Sequence, residues 1–148
     1  MAKTHVVLLT ITNKSGHDLN FEGDWFDSGR VADGYSWPKV ITNGDHQTIE
    51  CYERDSSLAG CSGLCTYGLS GTPVTIAFSN PVAGHNKLGV GTDGKSVWDN
   101  MDYHDYKDFV VSFQAAGVNY YANCRCTGGD VNTATVLIIP AMRSEQEA

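Results

Sequence analysis

Apolar residues recur at every second position through much of this chain, in short runs separated by clusters of Gly, Asn, Ser and Pro. Residues 74–79 show the pattern most clearly, with Val74, Ile76 and Phe78 alternating with Thr75, Ala77 and Ser79. A period of two predicts a strand with one face buried. Gly71 supplies a turn ahead of it, so that 63–70 and 72–79 read as a hairpin. Pro73 has no backbone N–H to give a ladder and belongs among the strand's first residues. The chain then leaves the sheet at Ser79-Asn80-Pro81.

The same reading places strands at 6–12, 19–26, 47–52, 109–115, 119–125 and 133–140. Asn13-Lys14-Ser15-Gly16 between the first two has turn chemistry and predicts a hairpin over 6–26, with Phe21, Gly23 and Trp25 on one face. Asn43-Gly44 is a strong turn signal. Residues 27–34, 53–62 and 82–96 read as loops, the last with a short strand near Leu88–Val90. Residues 97–106 fit a short helix in which Asp99, Asp102 and Asp105 interleave with Trp98, Met101 and Tyr103. Many short strands at a spacing of roughly 8–12 residues predict an all-β sandwich or barrel.

Composition sharpens this in three ways. A chain of 148 residues is expected to form one domain, burying roughly 70% of its unfolded surface. A net charge of −7 argues against a nucleic-acid partner, which demands a basic face. It also removes simple attraction to anionic lipid, leaving neutral or zwitterionic surfaces. The apolar run near the start is too short for a secretory leader or a membrane span. Cytoplasmic residence, or release by an unconventional route, is therefore the expectation.

The five cysteines, at 51, 61, 65, 124 and 126, are too odd in number for a closed disulfide framework. Their spacings do not match a zinc knuckle, so buried free thiols are expected, with a disulfide or two only under oxidant. Neither metal nor other cofactor is expected. Gly89-Val90-Gly91-Thr92-Asp93-Gly94 satisfies G-x-G-x-x-G. A dinucleotide site needs a strand before it, a helix after it and a βαβ unit around it. A polar stretch precedes it here, and a hairpin loop is the preferred reading. His104-Asp105 is an adjacent His–carboxylate pair, and no Gly-x-Ser-x-Gly elbow occurs. A small hydrolase using Asp102 or His104 stays open, but no enzyme is expected because nothing fixes both nucleophile and base. Trp25, Trp37, Trp98, Tyr103 and Tyr106 fall near loops or strand ends, where rings suit sugar faces or choline-type cations.

Five stretches occur together in one order: Thr10–Gly16, Trp25-Phe26-Asp27-Ser28-Gly29, the glycine-rich strand around Tyr67, Phe78-Ser79-Asn80-Pro81, and the aromatic run from Trp98 to Tyr106. That order resembles the actinoporin-like family, the sea-anemone pore-forming cytolysins and their relatives. The resemblance implies a β-sandwich with one or two short flanking helices, an architecture shared with fungal fruit-body lectins. It also implies a phosphocholine headgroup site that selects sphingomyelin-containing membranes. By position, Ser28, Ser62, Ser79, Pro81, Trp98, Asp102 and Tyr103 would line it. Ser62 stands where the family has an apolar residue, and Trp98 and Asp102 stand where it has tyrosines. The family's aromatic docking run after the proline is replaced by His85-Asn86-Lys87-Leu88-Gly89. Its amphipathic pore segment has no counterpart in the five residues before Val6.

The expected function is non-enzymatic recognition of a membrane lipid headgroup or a cell-surface glycan, in a toxin- or defence-type setting. Peripheral membrane contact and self-assembly are both compatible with it. A cytolysin acting by another route or with a partner, a lectin proper, and a small hydrolase are the alternatives.

Overall fold

The computed structural model describes residues 2–101 and 107–141. Strands β1 (Val6–Asn13), β2 (Leu19–Ser28), β3 (Arg30–Val31), β4 (Val40–Ile41), β5 (His46–Tyr52), β6 (Cys61–Leu69), β7 (Thr72–Asn80) and β8 (Lys87–Gly91) lead to one short helix, α1 (Gly94–Asp99). Strands β9 (Lys107–Ala115), β10 (Val118–Cys126) and β11 (Val131–Pro140) follow. They form two sheets, one ordered β3-β5-β1-β11-β10-β9 and the other β4-β2-β6-β7-β8. Leu9, Ile11, Ile49, Tyr120, Val136 and Ile138 of the first sheet share a core with Leu69, Ile76, Phe78 and Leu88 of the second. The protein is an all-β sandwich.

The strand positions match the periodicity closely, and the pairing differs from it. β1 and β2 are not a hairpin. β1 lies between β5, antiparallel, and β11, parallel, whereas β2 belongs to the other sheet beside β4 and β6. The Asn13–Gly16 cluster is a corner that carries the chain across the sandwich. The buried Asn13 side chain holds it, donating to the His17 and Ile41 carbonyls at 2.7 and 2.8 Å and accepting from Ser15 N–H and O–H. The hairpin of β6 and β7 is as expected: Ser70 and Gly71 both have positive φ, 50° and 82°, the geometry of a two-residue primed turn. β7 is buried on both faces rather than one, because α1 covers its outer side.

Two β-bulges in β2 decide which side chains face outward. Pairing shifts by one residue between Phe21 and Gly23, and again between Phe26 and Ser28. The first sends Phe21 and Trp25 to opposite faces, against the expectation that they share one. Phe21 packs inward on Tyr67 and Trp37, while Trp25 is 48% exposed.

Buried asparagines fasten the sheets together where β7 ends. Asn80 Nδ2 lies within 2.9–3.2 Å of the carbonyls of Val6, Gly129 and Asp130 in the opposite layer. Asn86 Nδ2 donates to Thr127 and Gly129, and Asn132 Nδ2 donates back to Ser79 and Lys87. Removing a buried donor leaves its acceptors desolvated and unpaired. Asn80→Ala is expected to lower stability by about 2 kcal/mol. Urea unfolding monitored by tryptophan emission would measure it, and a change within error of zero would show that the ties are dispensable.

Candidate functional site

The outer face of the β4-β2-β6-β7-β8 sheet carries a row of small polar side chains at the end where β7 exits. Ser28 pairs with Ser62, Ser62 with Ser79, and Ser79 with Lys87. Directly opposed residues of antiparallel strands share a face, so the four point the same way. Ser62 and Ser79 are buried, with their Oγ atoms 2.6 Å apart. Ser28 is half-buried.

Local backbone geometry makes this row. Without the second β2 bulge, Asp27 would lie opposite Ser62 and Ser28 would turn inward; the shift brings Ser28 into register. Gly29 then ends the strand at φ +82°, and a Cβ there would lie 2.8 Å from the Tyr52 carbonyl oxygen and 3.0 Å from Cys61 Cα. Only glycine fits both the conformation and the space.

The next row on the same face is Trp25, Leu64, Ala77 and Gly89, followed by Thr66, Thr75 and Gly91. Over these small residues lies α1. A Cβ on Gly89 would stand 3.1 Å from Met101 Cγ and 3.3 Å from the Val97 carbonyl oxygen, and one on Gly91 would meet Val97 Cγ2 at 2.8 Å. The helix starts at Asp93, whose carboxylate accepts from Ser96 N–H at 3.2 Å. Its far end sets Trp98 edge-on against Trp25, with ring centroids 5.0 Å apart and planes at 83°.

The G-x-G-x-x-G stretch is therefore not a hairpin loop. A strand precedes it and a helix follows. The sheet there is antiparallel and the helix has only six residues, so there is no βαβ unit to receive a dinucleotide. Its glycines let a helix lie flat on a sheet.

Of the residues expected to line a site, Ser28, Ser62 and Ser79 come together in one row, and Trp98 lies over the adjoining row. Pro81 is half-buried where the chain leaves β7 and lines a separate recess of about 220 Å³ with His5, Asn80, Val82, His85 and Asp130. Asp102 and Tyr103, with His104 and Tyr106, lie outside the described residues. The helix expected over 97–106 begins earlier, at Gly94. Lys87 was not anticipated, because the short strand expected near Leu88–Val90 was set within a polar loop; the alternation Lys87, Gly89, Gly91 against Leu88 and Val90 was the signal. Trp37 is half-buried against the core, donating to Asp24 at 2.8 Å and packing on Phe21 and Phe78.

All five cysteines are buried, and none is in a disulfide. Burial pushes Cys61, next to the serine row, up to about 12, with the Glu53 carboxylate adding to the rise, so it stays a neutral thiol at physiological pH. Among the described residues, no group of three or more His, Cys, Asp or Glu is arranged to hold a metal ion. No helix there is long and apolar enough to cross a membrane.

No protein-family model and no curated protein matches the chain. Solved structures do resemble it. The lipid binding protein Nakanori superposes over 95% of this chain and 73% of its own, with a TM-score of 0.69 at 16% identity. RahU, solved in complex with a TRIS molecule, matches over 97% of this chain and 100% of its own, with a TM-score of 0.59 at 11% identity. IP-1A from Alcaligenes faecalis matches over 95% and 94%, with a TM-score of 0.57 at 12% identity. At such identities the likeness is one of fold, among small β-rich proteins of which one is a lipid binder.

The bare strip under α1 generates a direct test. Replacing Gly89 and Gly91 together by Val should lift the helix off the sheet and separate Trp98 from Trp25 at a cost of about 1–3 kcal/mol. A red-shifted tryptophan emission with unchanged far-UV dichroism is the expected result. An unshifted spectrum would mean that the glycines do not seat the helix.

Proposed function

We propose that the protein is a non-enzymatic recognition module for a zwitterionic lipid headgroup of the phosphocholine type, as carried by sphingomyelin or phosphatidylcholine. The observation behind this reading is the juxtaposition of the serine row with the Trp25–Trp98 pair on one sheet face. A phosphodiester needs donors, and a trimethylammonium needs an aromatic surface; the two stand side by side here.

In the Ser62–Ser79 pair one hydroxyl donates to the other, so the accepting serine keeps its own O–H for a ligand. Lys87, in the same row, adds a cation for the phosphate. Ring contact with a choline-type cation contributes about 0.5–2 kcal/mol, depending on desolvation. Pro81, Asp102 and Tyr103 join this set on the resemblance to actinoporin-like proteins. The fold likeness to a protein described as lipid binding supports the reading coarsely.

Co-sedimentation with vesicles tests it. Phosphocholine-containing vesicles should pellet the protein, and vesicles of phosphatidylglycerol alone should not. Ser79→Ala should weaken binding about tenfold, the scale of one hydrogen bond to a charged group. Equal pelleting with both vesicle types, or with neither, would overturn the headgroup assignment. A positive glycan array in the absence of vesicle binding would move the same face to a lectin role.

A further inference from the structure

Leu58 is 94% exposed, the most exposed large hydrophobic side chain among the described residues. It sits near the tip of the loop between β5 and β6, close to Ser56, which has a positive φ of 59°. Val82, 57% exposed, projects from the loop after β7. The two loops are neighbours: both line a cavity of about 620 Å³, and a side chain on Gly60 would run into the Asn80 carbonyl and Pro81.

This loop is held out rather than folded back. Glu53 at its base accepts from Thr4 N–H at 3.1 Å and His5 N–H at 3.2 Å, and His5 Nδ1 lies 3.3 Å from the same carboxylate. Lys3 Nζ donates to the Glu53 carbonyl at 3.0 Å and to the Asp55 carboxylate. Ala59 N–H donates to Ser57 Oγ, closing the tip. The apolar side chain is thus presented by an anchored support.

Position and charge identify what it meets. β6 begins just after this loop and β7 ends just before the other, so Leu58 and Val82 project from the end of the sheet that carries Ser62 and Ser79. The whole chain bears −7, yet the Lys, Arg, Asp and Glu side chains lining the cavity, Lys3 and Arg54 against Glu53 and Asp55, sum to zero. A solvent-exposed aliphatic tip on a locally neutral end matches a zwitterionic bilayer surface, into which a single leucine can enter without carrying charge into low dielectric.

Resting on the headgroup reading above, we propose that Leu58 is a membrane-inserting anchor, with Val82 beside it, which docks the serine-row end of the sandwich on a phosphocholine bilayer. Insertion draws the loop tip below the headgroup level, and the row lies alongside at the depth of the phosphates.

Three proteins measured on phosphatidylcholine vesicles test this: the wild type, Leu58→Asp and Ser79→Ala. Leu58 is solvent-exposed, so its replacement leaves the core intact. Leu58→Asp should weaken binding by about tenfold or more, the scale of burying part of one leucine side chain. In a fourth protein, Leu58→Trp, the tryptophan emission should shift to the blue on adding vesicles. Wild-type affinity in Leu58→Asp together with loss in Ser79→Ala would overturn the anchor and leave the headgroup site standing. Absence of vesicle binding by the wild type would overturn both. A wild-type dimer in sedimentation equilibrium that Leu58→Asp dissolves would assign the tip to a second copy instead.

Discussion

The candidate site depends on two missing side chains. Gly89 and Gly91 leave a bare strip on the outer face of β8, and α1 can reach the sheet only because nothing stands there. A helix of six residues has little stability of its own and is held by what it packs against. Val97 and Met101 supply that contact from the helix side, and Asp93 caps its start. Trp98 meets Trp25 only with the helix in place. The rings beside the serine row are thus a consequence of glycine spacing in a strand.

The serine row has its own constraint, set by register. A bulge at Asp27 moves Ser28 from the inner to the outer face, where it lines up with Ser62 and Ser79. Gly29, confined between the Tyr52 carbonyl and Cys61, fixes the point where β2 must stop. Behind the row, Asn80 and Asn132 tie this end of β7 to the opposite sheet through four backbone carbonyls. Buried amides of this kind hold the position of an exit loop that hydrophobic packing alone would leave free. The row faces outward from paired strands whose end is tied to the opposite sheet.

The strands were legible because alternation is a local signal: β1, β6, β7, β10 and β11 fall within about two residues of where periodicity puts them. Their partners were not. Asn13-Lys14-Ser15-Gly16 has the chemistry of a tight turn, and the same chemistry builds a corner between sheets; the choice is made by β5 and β11 closing on both sides of β1. The bulges at Glu22 and Asp27 were hidden for a related reason. Each inserts one residue into an even count, and nothing in Phe21-Glu22-Gly23-Asp24-Trp25 marks where the count breaks. Only a short strand near Leu88–Val90 can be read, and the Gly89–Gly94 motif reads as a hairpin loop, since a strand whose outer positions are glycine shows little alternation of polarity. Ser28, Ser62, Ser79, Pro81, Trp98, Asp102 and Tyr103 were chosen through a family resemblance. The fold brings three of them into one row and sets Trp98 over the adjoining one. Asp102 and Tyr103 fall outside the described residues.

Fold and site together give a sandwich in which α1 serves to place an aromatic pair, next to hydroxyls held in register by bulge and glycine. The central claim is that these features form one headgroup site. A crystal of the protein soaked with phosphocholine tests it most directly. The account predicts the phosphate within hydrogen-bonding distance of a hydroxyl of the Ser62–Ser79 pair, with the trimethylammonium against the Trp98 or Trp25 ring. Phosphocholine bound elsewhere, or a site left empty at saturating ligand, would contradict it.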